Sequence, residues 1–102
     1  DIKKPGVIEQ AYTEVPVPAI QQIYALMGVT KALLPRVVAP TLVLVSPDDH
    51  VVPANNAEMI TSAIRSPLRQ QVLLQESYHV ATLDNDAELI HTSVRSFVKQ
   101  AL

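Results

Sequence analysis

The apolar positions of the chain fall into two periodicities, which predict strands and helices in alternation. An unbroken run of apolar or small residues, Leu42 to Ser46, lacks the alternation of a half-exposed strand. It is typical of a strand buried on both faces, as in a parallel sheet with helices above and below. A second run, Gln71 to Gln75, predicts another buried strand. The two strands are therefore expected to pair in parallel.

Apolar residues at spacings of three and four predict a helix before the first strand. This helix begins at Pro18, and Gly28 is expected to end or bend it. Lys31 to Leu34 can add one more turn, which Pro35 limits because proline lacks an amide donor. The residues predicted to face a core or a ligand cavity are Ile20, Ile23, Tyr24 and Met27.

Two further helices follow the two strands. One is expected to start near Pro53, with Ala57, Ile60 and Ile64 on its inner face, and to stop at Ser66-Pro67. The last begins after Asp84 or Asn85, either of which can cap it. Its apolar stripe comprises Ile90, Val94, Phe97, Val98 and Ala101. The order helix, strand, helix, strand, helix predicts an α/β fold with parallel strands and helices on the sheet faces.

Each predicted strand runs into a polar loop. Asp48 and Asp49 follow the first strand, and His79 follows the second at 30 positions from Asp49. That spacing is about one strand-helix-strand unit, so an acid and an imidazole are expected to share the carboxyl edge of the sheet, where α/β proteins carry their sites. Position alone fits equally well a turn aspartate and an ordinary loop histidine.

Composition excludes several classes of protein. The 102 residues carry a formal charge of -2, with no basic run or aromatic stripe of the kind that nucleic acid binding needs. There is no cysteine, and the three histidines are dispersed, so neither a disulfide framework nor a metal site is expected. No apolar run is long enough to span a membrane, no signal peptide is recognisable, and a cytoplasmic location is the default expectation.

Two segments carry a resemblance to a known family. P-T-L-V-L-V-S-P-D-D-H-V-V-P and E-S-Y-H-V-A-T-L-D resemble the carboxyl-terminal third of serine esterases with the α/β-hydrolase fold. Within that superfamily, residues 18–102 are most similar to bacterial carboxylesterases and monoacylglycerol lipases. The resemblance implies that residues 18–102 are the carboxyl-terminal part of the hydrolase core, and that residues 1–17 are a linker or lid remnant.

The resemblance also implies roles for single residues. Asp49 falls on the acid of a catalytic triad and His79 on its base, while Val51 and Val80 are possible walls of the acyl pocket. Asp48 is expected to be a turn residue whose side chain binds nearby backbone amides. The implied substrate is a small acyl ester, and no cofactor is implied.

The family's G-x-S-x-G nucleophile motif is absent, since the only glycines are Gly6 and Gly28. Ser46 and Ser77 do not lie on a strand-to-helix turn of that kind, so neither is expected to replace the nucleophile. The nucleophile and the oxyanion loop are expected upstream, in a missing amino-terminal part of the same protein. His50 is expected to line the loop, His91 to lie at the core boundary, and Asp84 to cap a helix more readily than to orient His79.

Two other functions remain open at this point. A hydrolase of the same fold with an upstream aspartate nucleophile, such as a dehalogenase or an epoxide hydrolase, would place the same residues at the positions of Asp49 and His79. A fragment that serves only in assembly or interaction would have no activity of its own. The chain alone is predicted to be inactive in either of the hydrolase cases.

Overall fold

A computed structural model describes residues 1–102 as three α-helices and a two-stranded sheet. In chain order the elements are α1 (Val17–Leu33), β1 (Thr41–Val45), α2 (Asn56–Ala63), β2 (Arg69–Leu73) and α3 (Ala87–Ala101). Short 3₁₀ turns at Leu34–Arg36 and Ala81–Leu83 precede β1 and α3. The predicted order of elements and the α/β class are confirmed.

The two strands pair in parallel, as predicted, with Thr41 opposite Arg69 and Val45 opposite Leu73. In this register both strands end at the same edge of the sheet. The loop that follows β1 and the loop that follows β2 therefore start side by side, and they carry Asp49 and His79 respectively.

Helices pack on the sheet and form a small core. α2 contacts both strands, and α3 contacts β1. The side chains buried between these elements are Leu34, Ala57, Ile64, Leu74 and Phe97. The buried positions of Ala57, Ile64 and Phe97 agree with the inner faces that the sequence predicts for the last two helices.

The prediction that both strands are buried on both faces is wrong for this chain. Every residue of β1 is half-buried, and all of β2 except Val72 is exposed. Both strands also lie one to two residues earlier than predicted. The apolar run of β1 is suited to burial on both faces of a sheet. A sheet of two strands has too few neighbouring elements to bury both faces.

The first helix differs from its prediction in two respects. Gly28 does not end α1, which continues to Leu33 and passes into the 3₁₀ turn that contains Pro35. No residue of α1 is buried, although Ile23 and Met27 line an open cleft of about 610 Å³ with Met59 and Ile60 of α2. The apolar face of α1 is therefore largely exposed.

The boundaries of the other helices also shift. α2 ends at Ala63, three residues before Ser66, and Asn55 precedes its first residue. Asp86, rather than Asp84 or Asn85, precedes α3, and its side chain makes no capping hydrogen bond. The carboxylates of Asp84 and Asp86 bind the preceding loop instead.

Candidate active site

The loop after β1 fixes the carboxylate of Asp49. Asp49 Oδ1 accepts hydrogen bonds from the amides of Val51 at 2.8 Å and Val52 at 2.9 Å, so the aspartate closes its own turn. The side chain is only 9% exposed. Burial raises the pKa of Asp49, but the amides of Val52 and Val51 and the contact with His79 outweigh it and lower the pKa overall. Asp49 is thus an anion at neutral pH.

The second oxygen of this anion faces His79. His79 Nδ1 lies 2.9 Å from Asp49 Oδ2. Because a carboxylate only accepts hydrogen bonds, Nδ1 carries a proton in this pair, and Nε2 of the neutral ring is left with a lone pair. The imidazole is 39% exposed, which leaves it accessible from outside this chain.

A buried serine links the two loops below this pair. Ser46, 4% exposed, donates a hydrogen bond to the carbonyl of Ser77 and accepts one from the amide of Asp48 at 3.2 Å. Ser77 is fully buried, and its hydroxyl donates to Asp86 Oδ2 at 2.9 Å. Both hydroxyls are therefore structural, as expected from the absence of a nucleophile turn around either serine.

Asp84 occupies a different place from the helix cap predicted for it. Its carboxylate is 1% exposed and accepts four amide hydrogen bonds, from Lys3, Lys4, Tyr78 and Asn85. Burial raises the pKa of Asp84, but these amides lower it more. Asp84 makes no hydrogen bond to the imidazole of His79, and its contact with that loop is through the backbone.

The amino-terminal residues pack beside the histidine. Asp1 Oδ2 accepts a hydrogen bond from the amide of His79 at 3.1 Å, and the carbonyl of Asp1 accepts one from Val80 at 3.1 Å. Asp1 Oδ1 lies 2.9 Å from Nδ1 of His50, and the His50 ring packs against that of Tyr78 in a tilted arrangement, with the ring centroids 4.4 Å apart. Sequence reasoning missed these contacts, because nothing in the spacing of residues 1–4 links them to His79.

A cavity of about 180 Å³ adjoins the acid and the imidazole. Its walls include Asp49, His79, Val52 and Ile60. Val80 lines a neighbouring cavity of about 340 Å³ that also contains His79. Val51 is 60% exposed and does not line either cavity, while Val52, 38% exposed, lines the smaller one.

The remaining polar residues lie away from this pair. Asp48 has a 57% exposed side chain, and the predicted binding of turn amides belongs to Asp49 instead. His91 is 71% exposed on α3, beside Glu88, rather than at the core boundary.

No group of three or more His, Cys, Asp or Glu side chains is arranged to hold a metal ion. None of the helices has the length and hydropathy needed to cross a membrane.

The chain is similar in sequence and in fold to proteins described as lipolytic enzymes. The chain is 46% identical, over 99% of its length, to a thermostable monoacylglycerol lipase of Bacillus sp. (strain H-257). A solved structure described for the metagenome-derived lipolytic enzymes LipS and LipT superposes on 98% of the chain with a TM-score of 0.93 and 47% identity. This chain matches part of a lipolytic hydrolase. A carboxylesterase of Bacillus subtilis (strain 168) is 26% identical over 96% of the chain.

The match covers nearly all of this chain but less than half of each relative. The chain spans 41% of the length of each of these three lipolytic relatives. No protein-family model matches it. The resemblance seen in the sequence is therefore confirmed for the α/β-hydrolase fold and for the class of relatives, while the whole protein's activity is a matter for proposal.

Proposed function

We propose that this chain supplies the acid and the base of a serine carboxylic-ester hydrolase, with Asp49 as the acid and His79 as the base. The observation that carries the proposal is the 2.9 Å contact between Asp49 Oδ2 and His79 Nδ1, at the shared edge of two parallel strands. The names of the relatives, a monoacylglycerol lipase and a carboxylesterase, support an acyl ester as the substrate class.

In the proposed mechanism Asp49 fixes the tautomer of His79. With the proton held at Nδ1, Nε2 removes the proton of a serine hydroxyl as that oxygen attacks the ester carbonyl. The histidine then returns the proton to the leaving alcohol, and an acyl-enzyme remains. Water gives a proton to the same nitrogen as it attacks the acyl-enzyme. That proton then passes to the serine oxygen as the acyl–oxygen bond breaks, which releases the acid and restores the serine. Asp49 stabilises the imidazolium that forms in each step.

The nucleophilic serine and the oxyanion donors belong, in this proposal, to an amino-terminal part of the same protein. The chain has no G-x-S-x-G motif, and it covers 41% of the length of the monoacylglycerol lipase. Loss of a single oxyanion-hole donor costs a factor of about 10² to 10³ in kcat. An acid and a base that lack both the nucleophile and these donors are therefore expected to give no useful rate. A cytoplasmic location and the absence of a cofactor remain predictions.

The test uses a fluorophosphonate probe, which reacts covalently with activated serines. The intact protein should be labelled and should hydrolyse p-nitrophenyl acyl esters, while residues 1–102 alone should do neither. His79→Ala in the intact protein should abolish labelling. Hydrolysis of a haloalkane or an epoxide by an intact protein that resists the probe would instead favour an aspartate nucleophile and refute the serine assignment.

A further inference from the structure

Asp84 is a buried anion whose hydrogen bonds converge on the histidine loop. Oδ2 accepts from the amide of Tyr78 at 2.9 Å, immediately before His79 in the chain, and from the amide of Lys3 at 2.7 Å. Oδ1 accepts from the amides of Lys4 and Asn85, each at 2.8 Å. The aspartate thus binds the histidine loop and residues 1–4 with one carboxylate.

Residues 1–4 in turn bind the backbone of the histidine loop through Asp1. Asp1 Oδ2 accepts from the amide of His79, and the carbonyl of Asp1 accepts from that of Val80. The amides of three consecutive residues, 78–80, are therefore all bound, the first by Asp84 and the next two by Asp1. Asp84 holds the segment that contains Asp1 through Lys3 and Lys4.

We propose that Asp84 is a positioning residue for His79, acting through the amide of Tyr78 and through the segment of residues 1–4. This inference rests on the proposed function of His79 as a base. It also changes the role of residues 1–4, which the sequence had assigned to a linker or lid remnant. In this arrangement they are the outer support of the histidine loop.

Chemistry explains why a carboxylate is needed at this position. Four N–H groups point at two oxygens, and each oxygen accepts two of them. An asparagine side chain has one acceptor oxygen and an NH₂ group that only donates, so it leaves two of these amides without an acceptor. The imidazole itself touches Asp49 and not Asp84, so its tautomer is unaffected by the change.

The experiment compares Asp84→Asn with Asp86→Asn in the intact protein. Asp86 is a matched control, because its carboxylate binds the same loop at the amide of Glu76 and the hydroxyl of Ser77 but makes no hydrogen bond to residues 78–80 or 1–4. Asp84→Asn should lower kcat by roughly 10- to 100-fold at an unchanged KM, as expected when a catalytic group is displaced by a fraction of an ångström to about 1 Å. Asp86→Asn should change kcat by about 2-fold or less.

Asp1→Ala provides a second variant that leaves Asp84 intact. It removes the side-chain oxygen that accepts from the His79 amide and should lower kcat in the same direction, again without raising KM. If Asp84→Asn does not fold, Asp1→Ala alone decides, and an unchanged kcat for it refutes the proposal. The proposal is also refuted if Asp84→Asn and Asp86→Asn both lose kcat in the same proportion to their fall in thermal midpoint. In that case the loss of kcat for Asp84→Asn reflects lower stability and not a displaced His79. An unmodified intact protein that is not labelled by the fluorophosphonate probe refutes the proposed function instead.

Discussion

Asp48 and Asp49 are neighbours in the chain, yet their carboxylates lie in different surroundings. Asp49 is 9% exposed and binds His79, whereas Asp48 is 57% exposed and lies 3.9 Å from the ammonium of Lys3. An ion pair at that exposure contributes little to stability. The two residues should therefore respond very differently to the same substitution.

Asp49→Asn in the intact protein should lower kcat by up to about 10⁴-fold, the loss found when a serine protease loses its triad carboxylate. The physical reason is that an amide no longer fixes the proton of His79 at Nδ1. The fold should persist, because the amide oxygen of the substituted side chain can still accept from the amides of Val51 and Val52. The measurement is kcat together with the thermal midpoint, with His79→Ala as the reference for losing the base.

The matched control is Asp48→Asn, which should leave kcat within a few-fold of the unmodified protein. Its side chain touches neither His79 nor the turn amides. A larger loss of kcat for Asp48→Asn than for Asp49→Asn, at equal thermal midpoints, would mean that the acid of the site has been assigned one residue too late.

The buried carboxylate of Asp84 also makes stability depend on pH. Its pKa is lowered from 3.8 in the folded state, so the unfolded chain binds the proton more readily. The stabilisation is present above pH 3.8 and is lost as pH falls through the lower folded value. The gap in unfolding free energy between the unmodified intact protein and Asp84→Asn should therefore narrow from about pH 5 downwards. A gap that stays constant with pH would show that folding does not lower the pKa of Asp84.

At the scale of residues, the sequence could predict that Asp49 and His79 lie close together, but not the hydrogen bonds of Asp84. Each of the first two follows an apolar run, so the parallel topology alone brings them to one edge. Asp84 binds Lys3 and Lys4, which are 81 and 80 positions away, and it does so through their amides. Nearly every residue has a backbone amide, so the residue types in the sequence do not show which amides bind Asp84. The sequence indicated only that an acid follows the histidine loop.

At the scale of elements, a substitution at Gly28 tests whether α1 is a regular helix with open space around that position. Gly28 lies inside α1, and an added Cβ there would meet no atom within 4 Å. Gly28→Ala should therefore stabilise the intact protein by about 0.4–1 kcal/mol, because alanine loses less conformational entropy in a helix. The measurement is the midpoint of urea unfolding.

Gly6→Ala is the matched control, since Gly6 also has open space around it but adopts a φ of 77°. Alanine in that conformation costs about 1–2 kcal/mol, so this variant should be destabilised. Destabilisation by Gly28→Ala would show that another segment of the intact protein packs closely over α1 at this point.

The elements themselves were largely predictable, because the periodicity of apolar residues indicates which secondary structure a segment can form. The order of elements, the parallel pairing and the inner face of α2 all follow from it. Burial was not predictable, since it depends on neighbours as well as on the segment. β1 has the composition of a strand covered on both faces but is half-buried in a sheet of two strands. The helix also continues past Gly28, although a glycine was expected to end or bend it. A helix of good helix-forming residues tolerates one glycine at a cost of about 1 kcal/mol.

At the scale of the whole molecule, the exposed apolar surface exceeds what a small independent domain carries. Only 9 of 102 residues are buried, and the radius of gyration is 15.3 Å, against about 13 Å for a compact domain of 100 residues. α1 contributes several of the exposed side chains, among them Ile23, Leu26 and Met27. A sheet of two strands also leaves open edges and is marginally stable by itself.

Residues 1–102 produced alone should therefore be partly unfolded or self-associated. Apolar faces of this extent are usually covered by another segment, and the lipolytic relatives have more than half of their length outside the matched region. Light scattering after size exclusion should give a mass above 11.2 kDa or a broad distribution, and heating should give no sharp transition. The intact protein, measured in parallel, should unfold cooperatively because its remaining segments cover α1 and the sheet. A monomeric, cooperatively unfolding 102-residue chain would mean that the small core around Ala57, Ile64, Leu74 and Phe97 suffices, and that the exposed face of α1 serves something other than packing within this protein.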